Sequence, residues 1–177
     1  DNGKFDVRYY KPFEAVDPAS WALTGGGLVA SPRRFTLAEI QALPLVSQTS
    51  RMKCVECWSA AAEWEGFRYD SLASVVQPDA KARWVHYRCA DDYYESLSIE
   101  ELRMDRVLVG HTMDGQPLSD EHGAPLRMIV PFKYGYKGAK AITRITFAEG
   151  QLKGYWPDVG GYSVNGNVQE GWDHPLD

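Results

Sequence analysis

Residues 83–89 and 140–147 mix polar and apolar positions with the period of two that marks a half-buried strand. Strand patterns also cover residues 107–113, which lead into the hairpin dipeptide Asp114-Gly115, and residues 126–130, closed by Pro131. Residues 21–29 read as a strand carrying Gly25-Gly26-Gly27. No Lys-Ser/Thr of a phosphate loop follows, so the triplet reads as a bend or bulge. Helix grammar is clearest at residues 35–43. Thr36 caps, Glu39 completes a capping box, Phe35 and Ile40 form a hydrophobic staple, and Pro44 marks the end. Ser98, Glu101, Leu97 and Leu102 repeat that pattern. A third short helix fits residues 69–76, and the alanine-rich residues 58–64 can also be helical. Residues 1–20 show little periodicity beyond a short extended piece at 7–12, and Glu149-Gly150 reads as a second tight turn. Strands do not alternate with long helices, which argues against a doubly wound parallel sheet. The expected class is α+β, one strand-rich domain over residues 1–177 with a few short helices.

Composition narrows the function classes. The chain has 177 residues, 44% hydrophobic and 24% charged, enough for one proper core. A net charge of −5 without a basic run argues against nucleic acid as a partner. No apolar run reaches the roughly 18 residues of a membrane span. Six Trp and ten Tyr suit a large core or a pocket lined by ring faces. Three Cys are too few for a disulfide framework.

Two of those cysteines form Cys54-Val55-Glu56-Cys57, where thiolate chemistry is to be expected. The spacing admits a redox dithiol, half of a zinc site, one functional thiol, or two buried structural thiols. His86 and Cys89 would complete a Cys₃His zinc set, but three positions apart on a strand they face opposite ways. A thioredoxin-type dithiol needs a βαβ setting that is missing. Further along, His122 and Arg127 precede Lys133, Lys137 and Lys140, interleaved with glycines. This is either a solvated basic loop or a site for a phosphate-bearing cofactor.

Cys54-Val55-Glu56 with Trp58-Ser59, His122-Gly123-Ala124-Pro125-Leu126-Arg127, and the stretch from Pro131 to Lys140 together resemble the molybdopterin-binding domain of the sulfite oxidase superfamily. Within it, the chain resembles the branch of bacterial periplasmic methionine-sulfoxide reductase catalytic subunits. Val7-Arg8-Tyr9-Tyr10, residues 17–21, Glu63-Trp64-Glu65-Gly66 and the late Asn167-Val168 with Asp173-His174-Pro175 fall in family order. The resemblance implies a molybdenum ion held by the dithiolene of molybdopterin, with Cys54 as the protein's metal ligand and catalytic residue. It places cofactor contacts at Tyr9, Tyr10, Cys89, His122, Arg127, Gly138, Ala139 and Lys140, with Arg127 and Lys140 on the pterin phosphate. Cys57 stands where relatives often have Ala. Tyr9 and Tyr10 stand where Asn or His is usual in the family, Cys89 where Ser or Thr is common, and His122 looks more like the sulfite-oxidising branch, where the reductase branch often has Asn.

The implied reaction is two-electron oxygen-atom transfer on a small-molecule substrate. Trp58 and Ser59 stand where the sulfite-oxidising branch has arginines, which favours a neutral S- or N-oxide over the sulfite dianion. Sulfite oxidation is the alternative within enzymes, and a zinc-stabilised binding module the alternative outside them. Trp58 follows Cys57, so no C-x-x-C-H haem motif is present. The resemblance implies electron delivery by a partner, a membrane haem protein or cytochrome c. It also implies a periplasmic location after a leader is removed, with which a first residue Asp1 is compatible.

Overall fold

The computed structural model describes residues 15–56 and 58–169. In chain order they form β1 (Ala22–Gly27), β2 (Arg33–Thr36), α1 (Leu37–Gln41), β3 (Val46–Lys53), β4 (Ser59–Phe67), α2 (Tyr69–Val76), β5 (Trp84–Cys89) and β6 (Tyr94–Ser98). There follow α3 (Ile99–Leu102), β7 (Leu108–Met113), β8 (Gln116–Pro117), β9 (Arg127–Ile129), a 3₁₀ turn (Gly135–Lys137), β10 (Ile142–Ala148) and α4 (Tyr155–Val159). One five-stranded sheet runs β2-β1-β10-β5-β6, with only the β1–β10 pair parallel. The second, antiparallel sheet runs β3-β4-β7-β8, with β9 also on β7.

Alternation sets the core. Leu23, Phe35, Val85, Tyr87, Ile145 and Phe147 of the first sheet pack with α2 and with Val109 and Met128 of the second. On its other face the second sheet buries Met52, Trp64, Leu108 and Ile129 in a smaller cluster. All three residues of β9 are therefore buried, Arg127 included.

The helix grammar is realised. Both capping boxes, Thr36 with Glu39 and Ser98 with Glu101, are complete, and α2 spans Tyr69–Val76. Residues 58–64 require a correction, since they lead into and form β4 rather than a helix. Ala60, Ala62 and Trp64 are buried while Ala61 and Glu63 are exposed. Pairing with β3, Met52 opposite Ala60 and Gln48 opposite Trp64, overrides the helix propensity of the alanines. The glycine triplet lies within β1. His86 and Cys89 do face opposite ways: His86 Nε2 meets the Gly150 carbonyl at 2.7 Å, and Cys89 is buried.

Candidate cofactor and active site

The β3–β4 hairpin carries Cys54 just beyond Lys53, half-buried in a tight tip. The Cys54 N–H donates to the Trp58 carbonyl at 2.9 Å, closing the tip, and the Glu56 N–H donates to Cys54 Sγ at 3.5 Å. Lys53 bridges to Tyr134, so the Cys54 loop lies beside the Lys133–Lys137 stretch.

Two residues before Cys54, Met52 joins the tip to a buried cation. Arg127 Nη2 donates to Met52 Sδ at 3.6 Å, Nη1 donates to the His122 carbonyl at 2.8 Å, and the guanidinium sits 5.0 Å from the centre of the Trp64 ring. Arg127 is only 3% exposed, and its Nε has no hydrogen-bond partner among the described residues. No carboxylate pairs with it there, and burial alone pulls its guanidinium down to about 10. An interior cation with an orphaned donor fits an anionic ligand.

Lys140 stands beside it. Its Nζ donates to the Glu121 carbonyl at 3.2 Å, and burial, then repulsion from Arg127, pulls its ammonium down to about 8. Gly123 makes this proximity possible: its φ is +99°, and a Cβ there would lie 2.7 Å from Lys140 Cβ. The Ala141 N–H donates to the Gly123 carbonyl, and the Ala90 N–H to the Ala141 carbonyl. Cys89, at the end of β5, is thereby brought near Lys140, whose backbone hydrogen-bonds to it. Burial pushes the Cys89 thiol up, so it stays protonated. Burial and the two cations push His122 down, which favours its neutral form. Gly138 and Ala139 are buried against β9, with the Met128 N–H donating to the Ala139 carbonyl at 2.9 Å.

The structure thus brings Cys89, His122, Arg127, Gly138, Ala139 and Lys140 together where strand ends of both sheets meet, linked to Cys54 through Met52. Tyr9 and Tyr10 lie outside the described residues, as does Cys57. The basic stretch is not a solvated loop, and not all its cations face a ligand. Lys133 and Lys137 are 2% and 1% exposed and are paired with Glu101 and Glu95. Burial raises Glu95 to about 7, against the opposing pull of Lys137.

A cavity of about 270 Å³ lies beside the Cys54 loop. Among the described residues Val55, Tyr134, Tyr136, Tyr162, Asn165 and Asn167 line it, and none of the described lining side chains is charged. Sequence reasoning missed Tyr162 and Asn165, and placed Asn167 in family order without giving it a role in the site; all three sit in an irregular segment after α4. It also missed Glu95, a buried carboxylate in a strand. The Lys-Tyr-Gly-Tyr-Lys alternation was the available signal.

The profile of the family described as "oxidoreductase molybdopterin binding domain" matches residues 10–156. A chain of Azospira oryzae provisionally named as the protein-methionine-sulfoxide reductase subunit YedZ1 is 37% identical, over 82% of this chain and 55% of its own length. The protein-methionine-sulfoxide reductase catalytic subunit of Ralstonia nicotianae is 33% identical, over 89% of this chain and 53% of its own. The chain spans about half the length of the curated relatives it matches. The sulfane dehydrogenase SoxCD of Paracoccus pantotrophus shares the fold, with a TM-score of 0.78 at 20% identity over 85% of this chain and 43% of its own. Matched over most of its length, with its buried cations gathered at the junction of two sheets, this chain belongs to the oxidoreductase molybdopterin-binding domain family.

Proposed function

We propose that the domain holds molybdenum through molybdopterin and reduces a neutral S- or N-oxide, by the balance oxide plus two electrons and two protons to reduced product plus water. The observation that carries this reading is Arg127, a buried guanidinium without a carboxylate among the described residues, beside Lys140. Such a pair suits a phosphate, held by charge-assisted hydrogen bonds. Gly138 and Ala139 let backbone approach closely, while neutral His122 and protonated Cys89 are polar contacts without added negative charge. Tyr9 and Tyr10 complete the proposed contacts. When bound, the cofactor supplies the two-electron redox chemistry. Cys54 offers a soft sulfur ligand for its metal from a hairpin tip that backbone bonds hold in place.

The uncharged lining among the described residues supports the substrate class. A dianion against that lining would lose hydration without gaining a cation from it, whereas an S=O oxygen needs one or two donors. Tyr162 and the asparagine amides are of that kind. The relatives named methionine-sulfoxide reductases support the same choice. The reading extends to one domain over residues 1–177, to electron delivery by a membrane haem protein or cytochrome c, and to a periplasmic location. No helix among the described residues is long and apolar enough to cross a membrane.

Side-by-side steady-state assays test the direction. Methionine sulfoxide with a reduced viologen dye should give a kcat/KM at least about tenfold above sulfite with ferricyanide, or roughly 1.4 kcal/mol in barrier. The reverse order would make the protein a sulfite dehydrogenase. Metal analysis should find molybdenum, and stoichiometric zinc instead would point to the binding module. Cys54→Ser should abolish the molybdenum–thiolate absorption and turnover, while Cys57→Ala should keep most of both. Equal losses would indicate a shared dithiol or zinc site.

A further inference from the structure

Lys133-Tyr134-Gly135-Tyr136-Lys137 divides its side chains between two sides. Tyr134 and Tyr136 line the cavity, while Lys133 and Lys137 turn inward and are almost fully buried. Lys133 Nζ contacts Glu101 Oε1 at 2.7 Å, the Asn165 carbonyl at 2.6 Å and Asn167 Oδ1 at 2.8 Å. Three oxygens match its three donors, so none remains for a ligand. Lys137 Nζ pairs with Glu95 and donates to the Val164 carbonyl at 2.9 Å.

Both ammonium groups therefore grip the segment at residues 163–168, which supplies Ser163, Asn165 and Asn167 to the cavity. The backbone adds to this grip: Tyr134 N–H donates to the Gly166 carbonyl at 2.8 Å, and Val168 N–H to the Phe132 carbonyl at 3.0 Å. Tyr136 Oη donates to the Ser163 carbonyl at 2.6 Å. Gly166 has φ +62°, and a Cβ there would lie 2.6 Å from Lys137 Cγ. Only glycine lets the segment approach so closely. Among the described residues, no side chain of this irregular segment joins either apolar core cluster, so these polar contacts are what the structure shows holding it.

We propose that Lys133 and Lys137, paired with the partly buried Glu101 and the buried Glu95, are positioning residues that fix segment 163–168 as one wall of the substrate cavity. Calling the cavity a substrate site rests on the function proposed above. The lysines touch neither substrate nor cofactor in this assignment. They set how well a neutral oxide is held, not how fast it is reduced.

The test uses the cofactor-loaded protein and two variants. Lys133→Met is preferred to a Lys137 variant, because its partner Glu101 keeps a quarter of its side chain in water, whereas Glu95 would be stranded at full burial. Gly166→Ala disturbs the same segment without changing charge. Both should raise KM for methionine sulfoxide about tenfold while retaining most of kcat and the molybdenum–thiolate absorption. Amide hydrogen exchange at Tyr134 and Val168 should accelerate about tenfold or more in both, with the rest of the protein protected as in the wild type. Unchanged exchange in the two variants would overturn the clamp. Faster exchange with unchanged KM would overturn its role in substrate binding. A wild type that turns over no oxide would defeat the functional reading instead, and the exchange data would still decide whether the lysines hold the segment.

Discussion

Lys140 is a residue of the site whose charge depends on its surroundings near neutral pH. Burial, then repulsion from Arg127, lowers its ammonium to about 8, from an ordinary 10.5. Between those two values the unfolded chain binds more protons than the folded one, so this side chain's contribution to stability improves as pH rises through that window. Cys89 works the other way, since its thiol is raised by burial and the unfolded chain releases that proton first. The Lys140 effect is therefore read as the difference between wild type and Lys140→Met in urea unfolding of cofactor-free protein. Wild type should gain on the variant from pH 8 to 10, and a flat difference would show that Lys140 is better solvated than its burial implies. Residue chemistry alone left Cys54 and the basic stretch open to several readings, and only the family resemblance singled out Cys54, His122, Arg127 and Lys140 as candidate site residues. Lys133 and Lys137 have the same chemistry, and only their partners, Glu101 and Glu95, reveal that they are structural. Those partners are distant in sequence and carry no local mark.

At the scale of elements, short-range rules succeeded and tertiary pairing overruled them. Capping boxes are local hydrogen-bond patterns, so Thr36 with Glu39 and Ser98 with Glu101 were readable. β4 was not, because Ala60, Ala61 and Ala62 hide its alternation. β3 escaped as well: it is an edge strand whose inward Ser50 is polar and buried. β6 escaped because its interior holds Glu95 and Ser96, which break the apolar pattern. The two boxes are not equivalent. Glu101 accepts from the Ser98 N–H with one oxygen and from Lys133 with the other, so α3 is tied to the cavity wall. Glu39 meets Arg33, whose side chain is half in water. Thr36→Ala should cost about 1 kcal/mol, near the usual value for a lost cap. Ser98→Ala should cost more, towards about 2 kcal/mol, because it also loosens Glu101 beneath Lys133. Urea unfolding of both variants checks the order, and equal costs would show that α3 and the Lys133 pair are energetically independent.

At the scale of the molecule, the α+β class followed from the mixture of strand and helix signals, but the arrangement of the sheets did not. β1 pairs in parallel with β10, Thr24 opposite Arg144, from opposite ends of the chain. No local pattern encodes that partner. The arrangement matters because the cation cluster lies where the two sheets meet. Arg127 is on β9 of the second sheet, and Lys140 runs into β10 of the first. The Ile142 N–H donates to the Leu126 carbonyl at 3.0 Å, and the Trp21 indole N–H to the Ile142 carbonyl, also at 3.0 Å. Without an anion, the junction encloses a guanidinium served, among the described residues, by a carbonyl, a thioether sulfur and a ring face. A buried charge without a counter-charge keeps its desolvation penalty uncompensated, so an apolar side chain of similar length removes that cost. Arg127→Met should therefore leave the cofactor-free protein at least as heat-stable as wild type. Cofactor loading should reverse the ranking. A ligand at about 100 times its Kd adds roughly 2.7 kcal/mol to wild type, which for a chain of this size raises Tm by about 5 to 10 °C. The variant should show a much smaller rise and lower occupancy, and millimolar inorganic phosphate should stabilise cofactor-free wild type but not Arg127→Met. Calorimetry of the two proteins, each with and without cofactor, tests both halves. A variant that loads fully and gains the same Tm shift would place the phosphate elsewhere, and one that unfolds early without ligand would make Arg127 a structural residue of the sheet junction.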